Sequence, residues 1–470
     1  MNLVENSNGC IGCCQPYFQF EKGLMELTKK NLNRNIIRLA LPVALENVLH
    51  MAVFIVDIIM VGRLGTVPVA AVGLAGALGF IIAMIFSALN VGTTALVARN
   101  FGARQKDEAR KVAGQSLLIT LVFGIIVSPF IFYFADNILV LMSAEENVVS
   151  LGSQYLKIVL SFFIFRLIIL TGTSIFRGAG DTKTPMLITL VMNCVNILFN
   201  WLLIFGIWIF PRMEVAGAAW ATSIAYTIGA SLIFYRLLSR KSIVTITFKH
   251  IVDVNTSIIK RILRISLPAT LDASLTQMGY LFFIKIVTML GTVSLAAHQI
   301  AIRIEALSFM PGFALGVATT TIVGQCLGAN KPDLARLSMR KNCQIALALM
   351  GFFAFIFLAF AKPMANIFHP EQDVLSLSAY CVMIAAIEQP ALAIYIVYAG
   401  GLRGAGDTLS PMIVTIVGTL CIHLPVAYVF GIVLEWGLAG IWFGAALDWI
   451  VRAIAVYILF RKGRWRTIKV

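Results

Sequence analysis

The sequence predicts an all-α membrane protein: twelve transmembrane helices in two six-helix lobes, related by a pseudo-twofold axis along the membrane normal. Three observations carry this reading. The 470-residue chain is 59% hydrophobic and only 13% charged, against about 25% charged in a soluble domain. Apolar stretches long enough to cross a bilayer recur twelve times, at roughly 36–62, 68–98, 113–135, 149–171, 184–206, 215–238, 262–290, 295–325, 341–365, 374–400, 411–434 and 438–460. Finally, the second half of the chain repeats the first.

The repeat has an offset of 226 positions, which pairs Pro42 in RLALPVALENV with Pro268 in RISLPATLDAS. The same offset pairs Arg38 with Arg264, Glu46 with Asp272, Gly65 with Gly291, and Gly102-Ala103 with Gly328-Ala329. It also superimposes RGAGDTKTPM (177–186) on RGAGDTLSPM (403–412). Further on the register slips, and Ala216-Gly217 matches Ala439-Gly440 at an offset of 223. Each half holds six spans, so both enter the membrane in the same direction, which sets the axis along the normal with a central cavity between the halves. The domain plan is a tail over 1–35, a first lobe over 36–239, a linker over 240–261 (RKSIVTITFKHIVDVNTSIIKR), and a second lobe over 262–470 ending in a short basic tail.

The net charge of +15 raises nucleic acid as a partner, but its distribution points to membrane topology instead. Of the 37 Lys and Arg, 25 lie in the termini and the even-numbered connections, while two (Arg63 and Arg212) lie in odd-numbered ones and Lys362 lies near the same side at the end of span 9. Positive charge gathers on the cytoplasmic side, so both termini are expected in the cytoplasm of a multi-pass cell-membrane protein. The first 35 residues are polar and lack the short apolar core of a cleavable signal. Cys10, Cys13 and Cys14 read as reduced thiols on that tail. The remaining cysteines read as small apolar filler.

Polar groups inside spans carry the functional argument, because ionisable residues there cost several kcal/mol and mark sites by default. Span 1 holds Glu46, His50 and Asp57, which fall within roughly 40° of one another on a helix. Span 5 carries Asn193, Asn196 and Asn200 on one face, and span 6 carries Thr222. Asp57 with Asn196, Asn200 and Thr222 makes an all-oxygen set suited to a hard cation such as Na⁺, or to a proton cycling on the carboxyl. Counterparts of Asp57 and Asn196 in the repeat are Phe283 and Ile422, and Thr222 matches Ala445, so this set belongs to one lobe. Glu46 has the acidic counterpart Asp272, which assigns it to something both halves share. His50 matches Thr276.

The second half has its own polar residues. In span 8, His298 and Glu305 share a face, with Gln299 and Arg303 nearby, which reads as a structural tie or part of a proton path. In span 10, Pro390 follows Glu388-Gln389; a proline there frees backbone carbonyls. Glu388, Tyr395 and Tyr398 are candidates to line a cavity for a cationic or aromatic body, with His50, Gln277, His298, Arg303 and Glu305. Asp448 and Arg452 are spaced for a local ion pair. The two RGAGDT segments read as cytoplasmic turns, with Asp181 and Asp407 capping the next helix. They lack the Gly-Lys-Ser/Thr of a phosphate loop. No nucleotide-binding module is evident, so an ion gradient is the expected energy source.

The paired RGAGDTKTPM and RGAGDTLSPM, the Leu-Pro entries to spans 1 and 7, VDIIMVGRLG, NILFNWLLIFG and AAHQIAIRIEALSFMPGFALG together resemble the multidrug and toxic compound extrusion (MATE) family. The resemblance covers about residues 25–465. It implies two six-helix lobes, alternating access, and export of organic, often cationic compounds in exchange for Na⁺ or H⁺. It implies that Asp57 is the family's first-helix aspartate, with Asn196 and Thr222 as its partners. Asn200 stands where some members have a second aspartate. One subgroup has acids along spans 7 and 10; here Thr276-Gln277 and Leu392 occupy those regions, with Glu388 one turn before Leu392.

The expectation is therefore a monomeric cation-coupled antiporter, with no cofactor beyond the coupling ion. Its partners are small organic substrates and the lipid bilayer, with no nucleic acid. A flippase or exporter for a lipid-linked or amphiphilic metabolite is the alternative. An integral membrane enzyme is the reading from another class, and no HExxH or nucleophile–base motif supports it.

Overall fold

A computed structural model describes residues 28–142, 145–240 and 242–468; Cys10, Cys13 and Cys14 lie outside them. The first half comprises α1 (Leu32–Gly62), α2 (Thr66–Leu89), α3 (Val91–Gly102), α4 (Lys106–Leu141), α5 (Glu146–Ser161), α6 (Phe163–Ala179), α7 (Lys183–Phe205) and α8 (Glu214–Leu238). A short α9 (Phe248–Val252) follows. The second half comprises α10 (Thr256–Thr288), α11 (Thr292–Gly328), α12 (Pro332–Asn366), α13 (Gln372–Gly404), α14 (Leu409–Val433) and α15 (Gly437–Lys462). Helices α2 and α3 form one continuous crossing over Thr66–Gly102. Every apolar stretch of the sequence thus lies on helix, and the described residues contain no strand.

Three crossings depart from straight spans. Ten are long and apolar enough to cross a membrane by length and composition, and the α5–α6 pair, bent by 55°, makes an eleventh. The bend sits at Phe162, whose backbone leaves helical geometry (φ −107°, ψ 7°) while its ring packs edge-on against Trp220. Helix α10, interrupted by Asp272, Thr276 and Gln277, falls below the apolarity of the others. Helix α14 runs through two π-helical stretches, Gly418–His423 and Val429–Val433. Helices α1 and α10 begin earlier than hydropathy indicates, at Leu32 and Thr256. Polar residues continue the helix beyond the apolar core, and Asn255 caps α10 by accepting from Ile258 N at 3.1 Å.

Two lobes emerge from the packing, and each borrows one helix start from the other. A first-lobe cluster of Leu96, Val112, Leu117, Phe176 and Ile233 takes in Ile258, Ile262 and Ile265 of α10. The matching second-lobe cluster of Ile322, Met339, Leu402 and Phe460 takes in Leu32, Ile36 and Leu39 of α1. The linker is packed against the first lobe. Gln115 donates to the carbonyls of His250 and Asp253, both at 2.9 Å, and accepts from Asn255 N.

The seam between lobes shows the twofold relation residue by residue. A Cβ on Gly102 would lie 2.0 Å from the carbonyl oxygen of Gln325, and a Cβ on Gly328 would lie 1.9 Å from that of Arg99. The repeat maps each contact onto the other. Gly324 faces Ala98, its own counterpart, so the axis passes between them. Small residues permit this approach, and close packing rather than water exclusion holds helices together in lipid. Thr321 Oγ1 and Gln325 Nε2 cross the seam to the carbonyls of Arg177 and Gly178 at 2.9 and 3.0 Å.

Overpacking a tight contact costs about 1–3 kcal/mol. Gly102→Ala and Gly328→Ala should therefore each lower the melting temperature of the detergent-solubilised protein. Gly73→Ala, where a Cβ would meet nothing within 4 Å, should leave it unchanged or raised.

Candidate functional site

Two polar arrangements in the lobes obey the repeat. Glu46 on α1 pairs with Arg177 on α6 at 2.8 Å, and Asp272 on α10 pairs with Arg403 on α13 at 2.6 Å. Both partners are related by the same offset, so the stripe of three ionisable residues on α1 contains one group, Glu46, that belongs to a duplicated tie. The RGAGDT turns are likewise matched. Gly180 and Gly406 take left-handed backbone (φ 89° and 91°), which glycine adopts without steric cost. Asp181 and Asp407 then cap the next helices, accepting from Thr184 N at 3.0 Å and Ser410 N at 3.1 Å.

A third arrangement breaks the repeat. Asn200 Nδ2 on α7 donates to Asp57 Oδ1 on α1 at 2.5 Å and to Asn196 Oδ1 at 3.0 Å. Asn196 Nδ2 reaches Thr222 Oγ1 on α8 at 3.4 Å, and Thr222 donates back to the carbonyl of Ala218 at 3.0 Å. Asn200 is 1% exposed, and its own Oδ1 has no hydrogen-bond partner. A half-buried carboxylate thus lies beside a buried amide whose oxygen is unclaimed, an acceptor that a donor or a cation would satisfy. Asn193, on the same face of α7, serves packing instead, donating to the carbonyl of Leu49 at 2.7 Å.

Sequence reasoning missed Tyr155. It stands on α5 and lies within electrostatic reach of Thr222, Asp57, Tyr226 and Arg166. Arg166 Nη1 donates to Tyr226 Oη at 2.5 Å, with its guanidinium 5.0 Å from that ring. A tyrosine in an apolar span gives no sequence signal. An arginine in the middle of span 4 does, and it points to this side of the lobe. His50 lies on the same stripe of α1 with an exposed side chain.

The second-lobe candidates fall into separate groups. Glu305 on α11 and Glu388 on α13 lie within electrostatic reach of each other. His298 is buried between the rings of Phe283 and Trp442. Arg303 joins neither: it is exposed and makes no ion pair with Glu305 among the described residues. Positions two apart on a helix do not face each other, so the Arg–Glu–His tie does not form. Gln277 is half-buried on α10. Tyr395 and Tyr398 sit in the packed second-lobe core, 9% and 4% exposed. Tyr395 Oη meets Thr415 Oγ1 at 3.0 Å, and Tyr398 packs on Phe460. Asp448 and Arg452 pair at 2.7 Å as their spacing indicates, and His423 and Thr419 of the π-helical stretch join them at 3.1 and 2.9 Å.

Comparison with known proteins gives the same duplication. The MatE family model matches residues 42–202 and again residues 268–429. The chain belongs to the MatE family. It is 31% identical to the probable multidrug resistance protein NorM of Thermotoga maritima, over 96% of both chains. It is 26% identical to the multidrug resistance protein PmpM of Pseudomonas aeruginosa, over 93% of this chain and 92% of that one. Among solved structures it resembles a MATE crystal structure in the bent conformation, with TM-score 0.87 and 25% identity over 92% of this chain and 95% of that one. A second likeness is an outward-facing multidrug resistance MATE family transporter of the MOP superfamily, with TM-score 0.84 and 25% identity over 93% and 98%. MATE proteins are efflux transporters acting on small compounds across a membrane, not enzymes. This chain is accordingly a multi-pass efflux transporter of that family.

Removing one partner of a buried ion pair costs about 3–5 kcal/mol, because the other charge is left without compensation. The carboxylates of Glu46 and Asp272 are only 4% and 5% exposed. Arg177→Ala and Arg403→Ala should therefore lower thermal stability in detergent strongly. The double changes Glu46→Gln/Arg177→Gln and Asp272→Asn/Arg403→Gln should recover most of the loss.

Proposed function

We propose that this MATE transporter is a cation-coupled secondary antiporter, exporting organic cationic or amphiphilic compounds in exchange for Na⁺ or H⁺ at Asp57. The observation that carries the reading is the polar set on α1, α7 and α8. Asp57 is held by Asn200 at 2.5 Å beside the unclaimed Asn200 Oδ1, in a lobe whose partner has Phe283 and Ile422 at the matching places. Groups needed only for packing would serve both lobes alike; groups present in one lobe serve a task done once per transporter. A cation at Asp57 and Asn200 Oδ1, or a proton on the carboxyl, redistributes the hydrogen bonds joining α1 to α7. Substrate and ion then favour opposite conformations, as exchange requires.

The chain works as a monomer in the cell membrane with both termini in the cytoplasm, following the distribution of Lys and Arg. In that orientation the Gly102–Gln325 and Gly328–Arg99 seam closes the cytoplasmic side. Its partners are small organic compounds and lipid rather than nucleic acid.

In proteoliposomes, wild-type protein should export an organic cation under an imposed Na⁺ or H⁺ gradient. Asp57→Asn should retain its size-exclusion profile and lose efflux by at least tenfold. Undiminished efflux by Asp57→Asn removes Asp57 from the coupling.

A further inference from the structure

Helix α9 is five residues long, yet its orientation is fixed from several sides. Thr247 N donates to His250 Nδ1 at 3.0 Å, part of a capping box. Ile246 N donates to the carbonyl of Leu237 at 2.9 Å. On α4, Gln115 holds the carbonyls of His250 and Asp253, and a Cβ on Gly114 would lie 2.2 Å from the carbonyl oxygen of His250. Val244, Ile246 and Ile251 are buried in the first-lobe cluster. Phe248 and Val252, one turn apart on the other face, are 68% and 73% exposed, and Val254 just beyond is 61% exposed.

The anchoring residues set the depth of this exposed row. Gly114 and Gln115 stand at the start of the apolar stretch 113–135, just beyond the charged turn that ends at Lys111, on a helix long and apolar enough to cross a membrane. Helix α9 thus lies against α4 at the level where α4 enters the lipid, not out in the water beyond it. An exposed ring at that level meets the headgroup layer, which amphipathic and aromatic side chains favour. The charge of the linker fits the same surroundings. Residues 240–261 carry five Lys and Arg against one acid, Asp253, and Lys249 and Lys260 are exposed. Basic residues beside an apolar row are attracted to anionic headgroups. The stretch after α15 treats its aromatic ring in the opposite way: Trp465 is 1% exposed, stacks on Phe460 and donates to that residue's carbonyl at 3.1 Å. Outward presentation of Phe248 is therefore particular to the linker.

We propose that the linker docks into the headgroup layer of an anionic phospholipid leaflet, with Phe248, Val252 and Val254 at the acyl boundary and Lys249 and Lys260 on phosphate groups. Gln115 also accepts from Asn255 N, the cap residue of α10, so the docked linker holds the point where the first helix of the second lobe begins. This surface goes beyond the exchange reaction at Asp57 and stands without it.

Photocrosslinking of the full chain in vesicles of equimolar phosphatidylcholine and phosphatidylglycerol, with p-benzoylphenylalanine in place of Phe248, tests this. Mass spectrometry should find lipid adducts at that position, enriched in phosphatidylglycerol over its share of the vesicle. Adding Lys249→Glu and Lys260→Glu should keep the adducts and abolish the enrichment. No lipid adduct, crosslinks to protein alone, or adducts that simply follow lipid abundance overturn the proposal. Wild-type protein should also melt higher in phosphatidylglycerol nanodiscs than in phosphatidylcholine ones, and Phe248→Ser/Lys249→Glu/Lys260→Glu should lose most of that rise. A rise kept in full by this triple variant counts against the surface.

Discussion

The cost of charge inside lipid organises this transporter. An ionisable side chain in a span needs a partner, a proton or access to water, and each buried one here has a distinct answer. Glu46 and Asp272 take arginines from α6 and α13 in the same geometry, one pair per lobe. These pairs tie the first helix of each lobe to the helix that ends in the RGAGDT turn. The same two turns sit against the seam, where Thr321 and Gln325 bond the carbonyls of Arg177 and Gly178. The duplicated ion pairs thus connect lobe interior to lobe interface.

Against that shared frame, departures from symmetry stand out. Asp57 has an amide partner rather than a cation. Glu305 and Glu388 lie within electrostatic reach of each other. Asp448 is the exception that keeps an arginine of its own, and it does so in a π-helical neighbourhood: a Cβ on Gly418 would lie 2.5 Å from Arg452 Nε. Groups that keep a full countercharge hold the fold. A group held by an amide is free to change charge, and that is where a transporter can exchange ion for substrate.

Much of this was legible in the sequence, for physical reasons. Twelve apolar stretches and an offset of 226 fix the helices and the twofold relation, because backbone satisfaction in lipid leaves few alternatives to helix. Asp57, Asn196, Asn200 and Thr222 were legible as one set because polar residues recur at helical spacing in apolar spans. Tyr155 was not, since its role depends on which face of α5 meets α8. The nearness of Glu305 to Glu388 was hidden because the two lie on different helices. The neighbour Arg303 looked like the nearer partner, yet points elsewhere. The bend at Phe162 has no proline or glycine to announce it, and the early helix starts lie in polar sequence that hydropathy does not register.

The central claim is that one-lobe groups couple ion to substrate, and linkage gives its most direct test. Substrate affinity of the purified protein should be measured across Na⁺ concentration and pH, for wild type and for Asp57→Asn. Reciprocity requires that the coupling ion weaken substrate binding by the factor by which substrate weakens ion binding, typically about 5–150-fold. The account predicts such a dependence in wild type and its loss in Asp57→Asn. Substrate affinity indifferent to both ions in wild type, or an ion dependence unchanged in Asp57→Asn, would contradict it.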